Sequence, residues 1–214
     1  MTFSRYYATV AATIIQSLPL EAIELMAHEL SNLKDRGGRL FILGVGGSAA
    51  NASHAVNDFR KIAGIEAYAP TDNSAELTAR TNDNGWDSVF VRWLETSHLN
   101  ASDALLVLSV GGGSLDTSFC LVRAMSYAAK GVGAKVLSIV GPDGGAALRY
   151  SDVCVRIGAT FNFGVGETTP HVEGIAGVIT HLLVNHPQLH LEEDNGPPTD
   201  REQNETLTSM SKAF

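Results

Sequence analysis

The chain runs on two hydrophobic rhythms. Phe3–Ser17 places Tyr7, Val10, Ala11 and Ile14 on one stripe, the three-and-four spacing of a helix with one apolar side. Ala22–Lys34 repeats the pattern with Ile23, Met26, Ala27, Leu30 and Leu33, and Gly37-Gly38 ends it. Pro19 separates the two. The rhythm then shortens. Leu40–Leu43, Ala104–Leu108, Lys135–Val140 and Val153–Ile157 are brief apolar runs bounded by turn residues, which predict buried strands, and Ile65–Ala69 is a weaker one. Between them the pattern predicts helices at Ala49–Phe59, Ser74–Arg80 (capped from Thr71-Asp72-Asn73), Trp86–Leu99, Leu115–Lys130 and Ala146–Tyr150, with a last long helix at Glu167–Asn185. Thr81–Gly85 reads as a polar turn. Strands alternating with helices imply a parallel sheet covered on both faces.

Three of the strands end in glycine-rich turns: Gly44-Val45-Gly46-Gly47-Ser48, Ser109-Val110-Gly111-Gly112-Gly113-Ser114 and Gly141-Pro142-Asp143-Gly144-Gly145. Ligands of such sheets bind at the carboxyl ends of strands, so the first two turns are expected to flank one site. The helix after the first turn directs unpaired N–H groups and the positive end of its dipole back at the glycines, a ready seat for an anion such as phosphate. That helix also carries His54 and Asp58, four residues apart and so on one face.

Composition narrows the classes. A net charge of -8 argues against general nucleic-acid affinity, which needs a basic stripe. No apolar run approaches the roughly 18 residues of a membrane span, and the amino terminus lacks a cleavage pattern. The two cysteines, Cys120 and Cys154, sit in apolar surroundings and read as free buried thiols, which fits a reducing, cytoplasmic setting. Pro187–Phe214 turns polar and acidic, with Pro197-Pro198, and is read as a tail (188–214) on one domain (1–187).

GVGGSAANASH, SVGGGS, GPDGG and a His181 in the last helix stand in the order and spacing of the SIS (sugar isomerase) domain, and within it the chain most resembles the phosphoheptose isomerases. The resemblance covers about residues 1–187. It implies a three-layer α/β/α fold with a central parallel sheet and two leading helices. It implies a homotetramer with active sites at subunit boundaries, and conversion of sedoheptulose 7-phosphate to a glycero-manno-heptose 7-phosphate. The chain departs from the family at several positions. Val45 replaces an Asn, Val110 and Gly111 replace hydroxyl residues of the phosphate loop, Asp58 stands for a Glu, and Glu173 for a Gln.

Carried over residue by residue, the resemblance makes Asp58 the carboxylate base and His181 its partner acid. It assigns substrate contacts to Gly46, Gly47, Ser48, Asn82, Asp83, Ser109, Val110, Gly111, Ser114 and Glu173. His54 and Asp58 share one helix face, and Glu173 and His181, eight apart, share another. Two histidines and two carboxylates make a Zn²⁺ set, and some members of the family hold a metal at the matching positions. The competing reading is a SIS-domain protein that binds a phosphosugar or a protein partner without catalysis.

Overall fold

A computed structural model describes residues 1–190. Two helices lead, α1 (Phe3–Gln16) and α2 (Leu20–Asp35). Thr2 caps α1 through its side chain, and all five apolar positions predicted for α2 are buried. The sheet then alternates with helices: β1 (Leu40–Leu43), α3 (Gly47–Lys61), β2 (Ala67–Tyr68), α4 (Ser74–Asn84), α5 (Val89–Thr96), β3 (Ala104–Ser109), α6 (Phe119–Ser126), β4 (Lys135–Val140), α7 (Ala147–Tyr150), β5 (Val153–Arg156) and α8 (Thr168–Val184).

The strands are parallel and ordered β2-β1-β3-β4-β5. Successive strand residues point to opposite faces, and the two faces build two cores. Leu40, Ile42, Leu106, Leu108, Leu137 and Ile139 pack with α1, α2, α3 and α8. Phe41, Leu43, Leu105, Val107, Val136 and Val140 pack with α5, α6 and α7. The expected three-layer α/β/α arrangement is what forms. The chain turns from one flank of the sheet to the other between β1 and β3, and at such a switch point the adjacent carboxyl ends leave a crevice for a ligand.

Three elements differ from the sequence pattern. Thr81–Asn84 is not a turn but the end of α4, because Asn73 caps the helix and Thr78 and Thr81 return their hydroxyls to carbonyls one turn back. Gly85, at φ 79°, ends it. The helix predicted from Leu115 begins at Phe119. Ser114 Oγ accepts from the Thr117 N–H, and Ser118 Oγ accepts from the Ser114 N–H, so these hydroxyls hold a turn against the helix. That helix also widens into a π-helical segment over Tyr127–Val132. The helix predicted over Trp86–Leu99 is a 3₁₀ turn followed by α5.

The tail expected from residue 188 is described only as far as His190. Leu189 is fully buried, and Lys34 Nζ donates to its carbonyl at 3.0 Å. The remainder of the expected tail, 191–214, lies outside the described residues.

Candidate active site

α3 starts within the glycine turn that closes β1, so the turn and the helix face share one origin. Its N-cap, Gly46, has φ 63°, a conformation glycine adopts without strain. Ala52, Ala55 and Phe59 anchor α3 in the core. His54 and Asp58 lie along its side. α8 packs beside α3 in the same direction and brings His181 to them. His54 Nε2 lies 3.1 Å from Asp58 Oδ2, His181 Nε2 lies 3.3 Å from the same oxygen, and the two Nε2 atoms are 3.0 Å apart. Asp58 is the buried member, its side chain 9% exposed beneath imidazoles that are 58% and 56% exposed. Asn57 Nδ2 donates to Asp58 Oδ1 at 2.9 Å and fixes the carboxylate's turn.

The geometry fits a metal. Asp58 Oδ2 is buried, close to two ring nitrogens, yet has no aligned hydrogen-bond donor. Three atoms of the kind that ligate metals thus lie 3.0–3.3 Å from one another. Zinc–ligand bonds of about 2.0–2.2 Å in a tetrahedron separate ligand atoms by roughly 3.3–3.6 Å, nearly the spacing found. Among the described residues, His54, Asp58 and His181 are the one group of three or more such side chains whose ligand atoms converge.

Glu173 is not part of that convergence. Asn51 Nδ2 donates to the Glu173 carbonyl at 2.9 Å, which ties α8 to α3 one turn above His54. The Glu173 carboxylate then lies flat against Gly47. A Cβ on Gly47 would stand 2.5 Å from Oε2 and 2.6 Å from Oε1, so a side chain there would make the carboxylate move aside. The start of α3, which the sequence assigns to a substrate phosphate, thus carries a carboxylate of the chain itself. Ser48 beside it is buried.

The second turn closes β3, hydrogen-bonded neighbour of β1. Ser109 ends the strand and Gly111 is exposed. Ser114 is engaged with Thr117. The glycines here answer to packing as well as to ligand access. Gly112 has φ 66°, and a Cβ on it would collide with the Gly144 carbonyl. The Ala146 and Ala147 N–H groups donate to the Gly113 and Gly112 carbonyls at 3.0 and 2.9 Å. The third glycine turn therefore braces the second. Asn82 and Asp83 are exposed at the end of α4 and bonded to each other, Asn82 Nδ2 donating at 2.8 Å.

Sequence reasoning missed Asn51 and Asn57, which set Glu173 and Asp58. Their side-chain amides on the predicted helix, beside the site residues, were the available signal. It also missed the Ser53–Asp72 hydrogen bond, which joins the α3 flank of His54 to the loop after β2. His171 is buried and stacked on Tyr7, 4.2 Å between ring centroids, and serves the α1–α8 contact.

Comparison with known proteins bears on the family and the fold. The sequence model of the SIS domain matches residues 5–141. A phosphoheptose isomerase from Chlorobium phaeobacteroides is 37% identical over 139 residues, 62% of this chain and 59% of that protein. One from Rhodospirillum rubrum is 31% identical over 152 residues, 69% of this chain and 74% of that protein. In structure, a phosphoheptose isomerase from Neisseria gonorrhoeae superposes with a TM-score of 0.69, covering 86% of this chain and 97% of its own at 24% identity, which shows the shared fold.

Proposed function

The chain belongs to the SIS-domain family, and on that premise we propose that it is an aldose–ketose isomerase acting on sedoheptulose 7-phosphate to give D-glycero-D-manno-heptose 7-phosphate. The observation that carries this reading is the convergence of His54, Asp58 and His181 between α3 and α8, along the helix whose first turn closes β1. The names of the curated relatives support the same reaction.

Moving a carbonyl between neighbouring carbons takes a proton from one carbon and returns it to the next through an enediol. Asp58 is the base in this reading. Its burial beneath two imidazoles keeps it out of bulk water, and Asn57 holds its orientation. His181, 3.3 Å away and more than half exposed, is the group that exchanges protons with the substrate oxygens. In the alternative form of this reading, His54, Asp58 and His181 would instead hold a divalent cation, Zn²⁺ by donor type, which would polarise the substrate carbonyl in place of that acid–base pair. Ser109, Gly111 and the backbone N–H groups of the second turn receive the phosphate, while Asn82 and Asp83 offer polar contacts to the sugar.

The assembly in this reading is a homotetramer with interfacial active sites. Val178 and Leu182, both exposed, flank His181 on α8, so a subunit covering them would also wall the site. Two free thiols support a reducing, cytoplasmic setting.

The test is an isomerase assay on sedoheptulose 7-phosphate with protein as isolated, after chelation, and after zinc is restored. Turnover that follows zinc supports the isomerase and its metal together. Turnover indifferent to chelation keeps the isomerase and removes the metal. Folded protein without turnover overturns the reading in favour of phosphosugar binding alone.

A further inference from the structure

β3 has β1 on one side and β4 on the other. Toward β4, the segment after β3 meets the turn after β4 and α7, and a cavity of about 550 Å³ opens between them. Small-molecule sites have roughly this size, about 300–1,000 Å³. Its apolar wall includes Leu115 and Leu148, which stand 73% and 54% exposed. Arg149 and Tyr150 line it as well. Neither the Arg149 guanidinium nor the Tyr150 hydroxyl has a hydrogen bond or ion pair among the described residues. Lys130 Nζ lies 5.2 Å from the centroid of the Tyr150 ring, and lines a second cavity of about 460 Å³ together with Arg123. Lys130 belongs to the π-helical segment Tyr127–Val132, a winding found frequently at functional sites. No carboxylate lines either cavity, although the chain has 23 acidic residues against 15 basic ones. Asp116 and Asp143, near by in sequence, are exposed and line neither.

We propose that this cavity is a second ligand site, separate from the α3–α8 seam, and that it takes a nucleoside polyphosphate, the base packing on Leu115 and Leu148 and the phosphates reaching Arg149 and Lys130. Unpaired cations without a neighbouring carboxylate select an anion, and a guanidinium suits phosphate oxygens in particular. The exposed leucines select against a bare phosphate, because covering them takes an apolar body. The cations approach Tyr150 from two cavities, so one phosphate does not satisfy both. An apolar ring carrying a chain of phosphates meets all three demands. The site uses neither the His54, Asp58 and His181 group nor Ser109, and it stands whether or not the chain is an isomerase.

The probe is ATP, followed by calorimetry at fixed salt on the full chain. Wild type should bind one ATP per chain, more tightly than it binds adenosine or tripolyphosphate. Arg149→Gln and Lys130→Gln should each weaken ATP by on the order of tenfold, and Leu148→Ser should weaken ATP while leaving tripolyphosphate unchanged. His181→Ala and Ser109→Ala should bind ATP as wild type does. No ATP binding overturns the proposal. So does tripolyphosphate binding as tightly as ATP, which would show a charged patch alone, or adenosine doing so, which would take the cations out of the site. Loss of ATP binding in His181→Ala or Ser109→Ala would put the nucleotide in the proposed substrate site and overturns it too. If Arg149→Gln does not fold by circular dichroism, Lys130→Gln supplies the same comparison. Binding is read without turnover, so failure here is separate from failure of the isomerase assay.

Discussion

At the scale of single residues, the site divides into groups that touch one another and groups that hold them. Asp58 and His181 touch. His181→Ala should lower kcat by about 10²- to 10⁴-fold, the usual worth of a positioned acid or base. Its exposure means the fold should survive, so an unchanged melting curve should accompany the loss; full activity would remove His181 from the mechanism. Asp58→Asn should cost activity and zinc content in parallel, measured by assay and elemental analysis on one preparation. Zinc retained at wild-type stoichiometry would take Asp58 out of the metal set. The His54–Asp58 pair was legible in the sequence, because four residues on a helix fix a shared face. Glu173 was not placed correctly by that logic. Eight residues on a helix separate two side chains by about 12 Å along the axis, and which of them reaches His54 depends on how α8 lies on α3. Cys120 shows the same limit from another side. Its burial was foreseen, but its packing depth sets its chemistry: desolvation pushes the thiol from 9.0 up to about 11. The folded state therefore keeps a proton that the unfolded state releases, and this contribution to stability is present below pH 9 and is lost as pH rises toward 11. Thiol modification of native protein at pH 8 should accordingly be slow and speed up sharply in urea. Rapid modification without denaturant would contradict the buried thiol.

Elements were the most legible scale, and the reasons for the exceptions are local. Apolar runs between turn residues identify β1, β3 and β4 because strands buried on both faces need no alternation. Helix ends were less legible because hydroxyls decided them: Ser114 and Ser118 delay α6, and Thr78 and Thr81 extend α4. What joins the elements was hidden altogether. Asp103, buried to 1%, accepts from the Arg39 backbone N–H and from its guanidinium at 2.7 Å, and also from the Asn100 backbone and side-chain N–H groups. Arg39 in turn donates to the Ser97 and His98 carbonyls. This clamp sits at the amino ends of β1 and β3 and links residues 64 positions apart. Asp103→Ala leaves a partly buried guanidinium and three N–H donors without their acceptor, which should cost about 3–5 kcal/mol in urea unfolding. None of the clamp's groups bonds to His54, Asp58 or His181, so the folded fraction should keep its KM. A midpoint equal to wild type would show that the clamp is not what aligns the two strands.

For the whole molecule, the question is what covers the outer side of the α1, α2, α3 and α8 layer. α1 contributes only Val10 and Ile14 to the buried core, and leaves Phe3 and Ile15 exposed. α8 exposes Val178 and Leu182, one turn apart, with His181 between them in sequence. The apolar surface and the reacting group thus share one side of one helix. An isolated chain would keep His181 in open water and leave these apolar side chains uncovered. A second copy seated on α8 would remove both, drying the site where charge has to move and strengthening electrostatic contacts within it. In a homotetramer, sedimentation should give about four times the 22.7 kDa chain mass. Val178→Glu should shift the protein to smaller species and lower turnover together, because the same contact would both hold the assembly and close the site. Its buried neighbours Ile175 and Ile179 are untouched, so secondary structure should be unchanged. A Val178→Glu protein that sediments as smaller species with full activity would separate assembly from catalysis, and a wild type that sediments as a fully active monomer would show that each chain completes its own site.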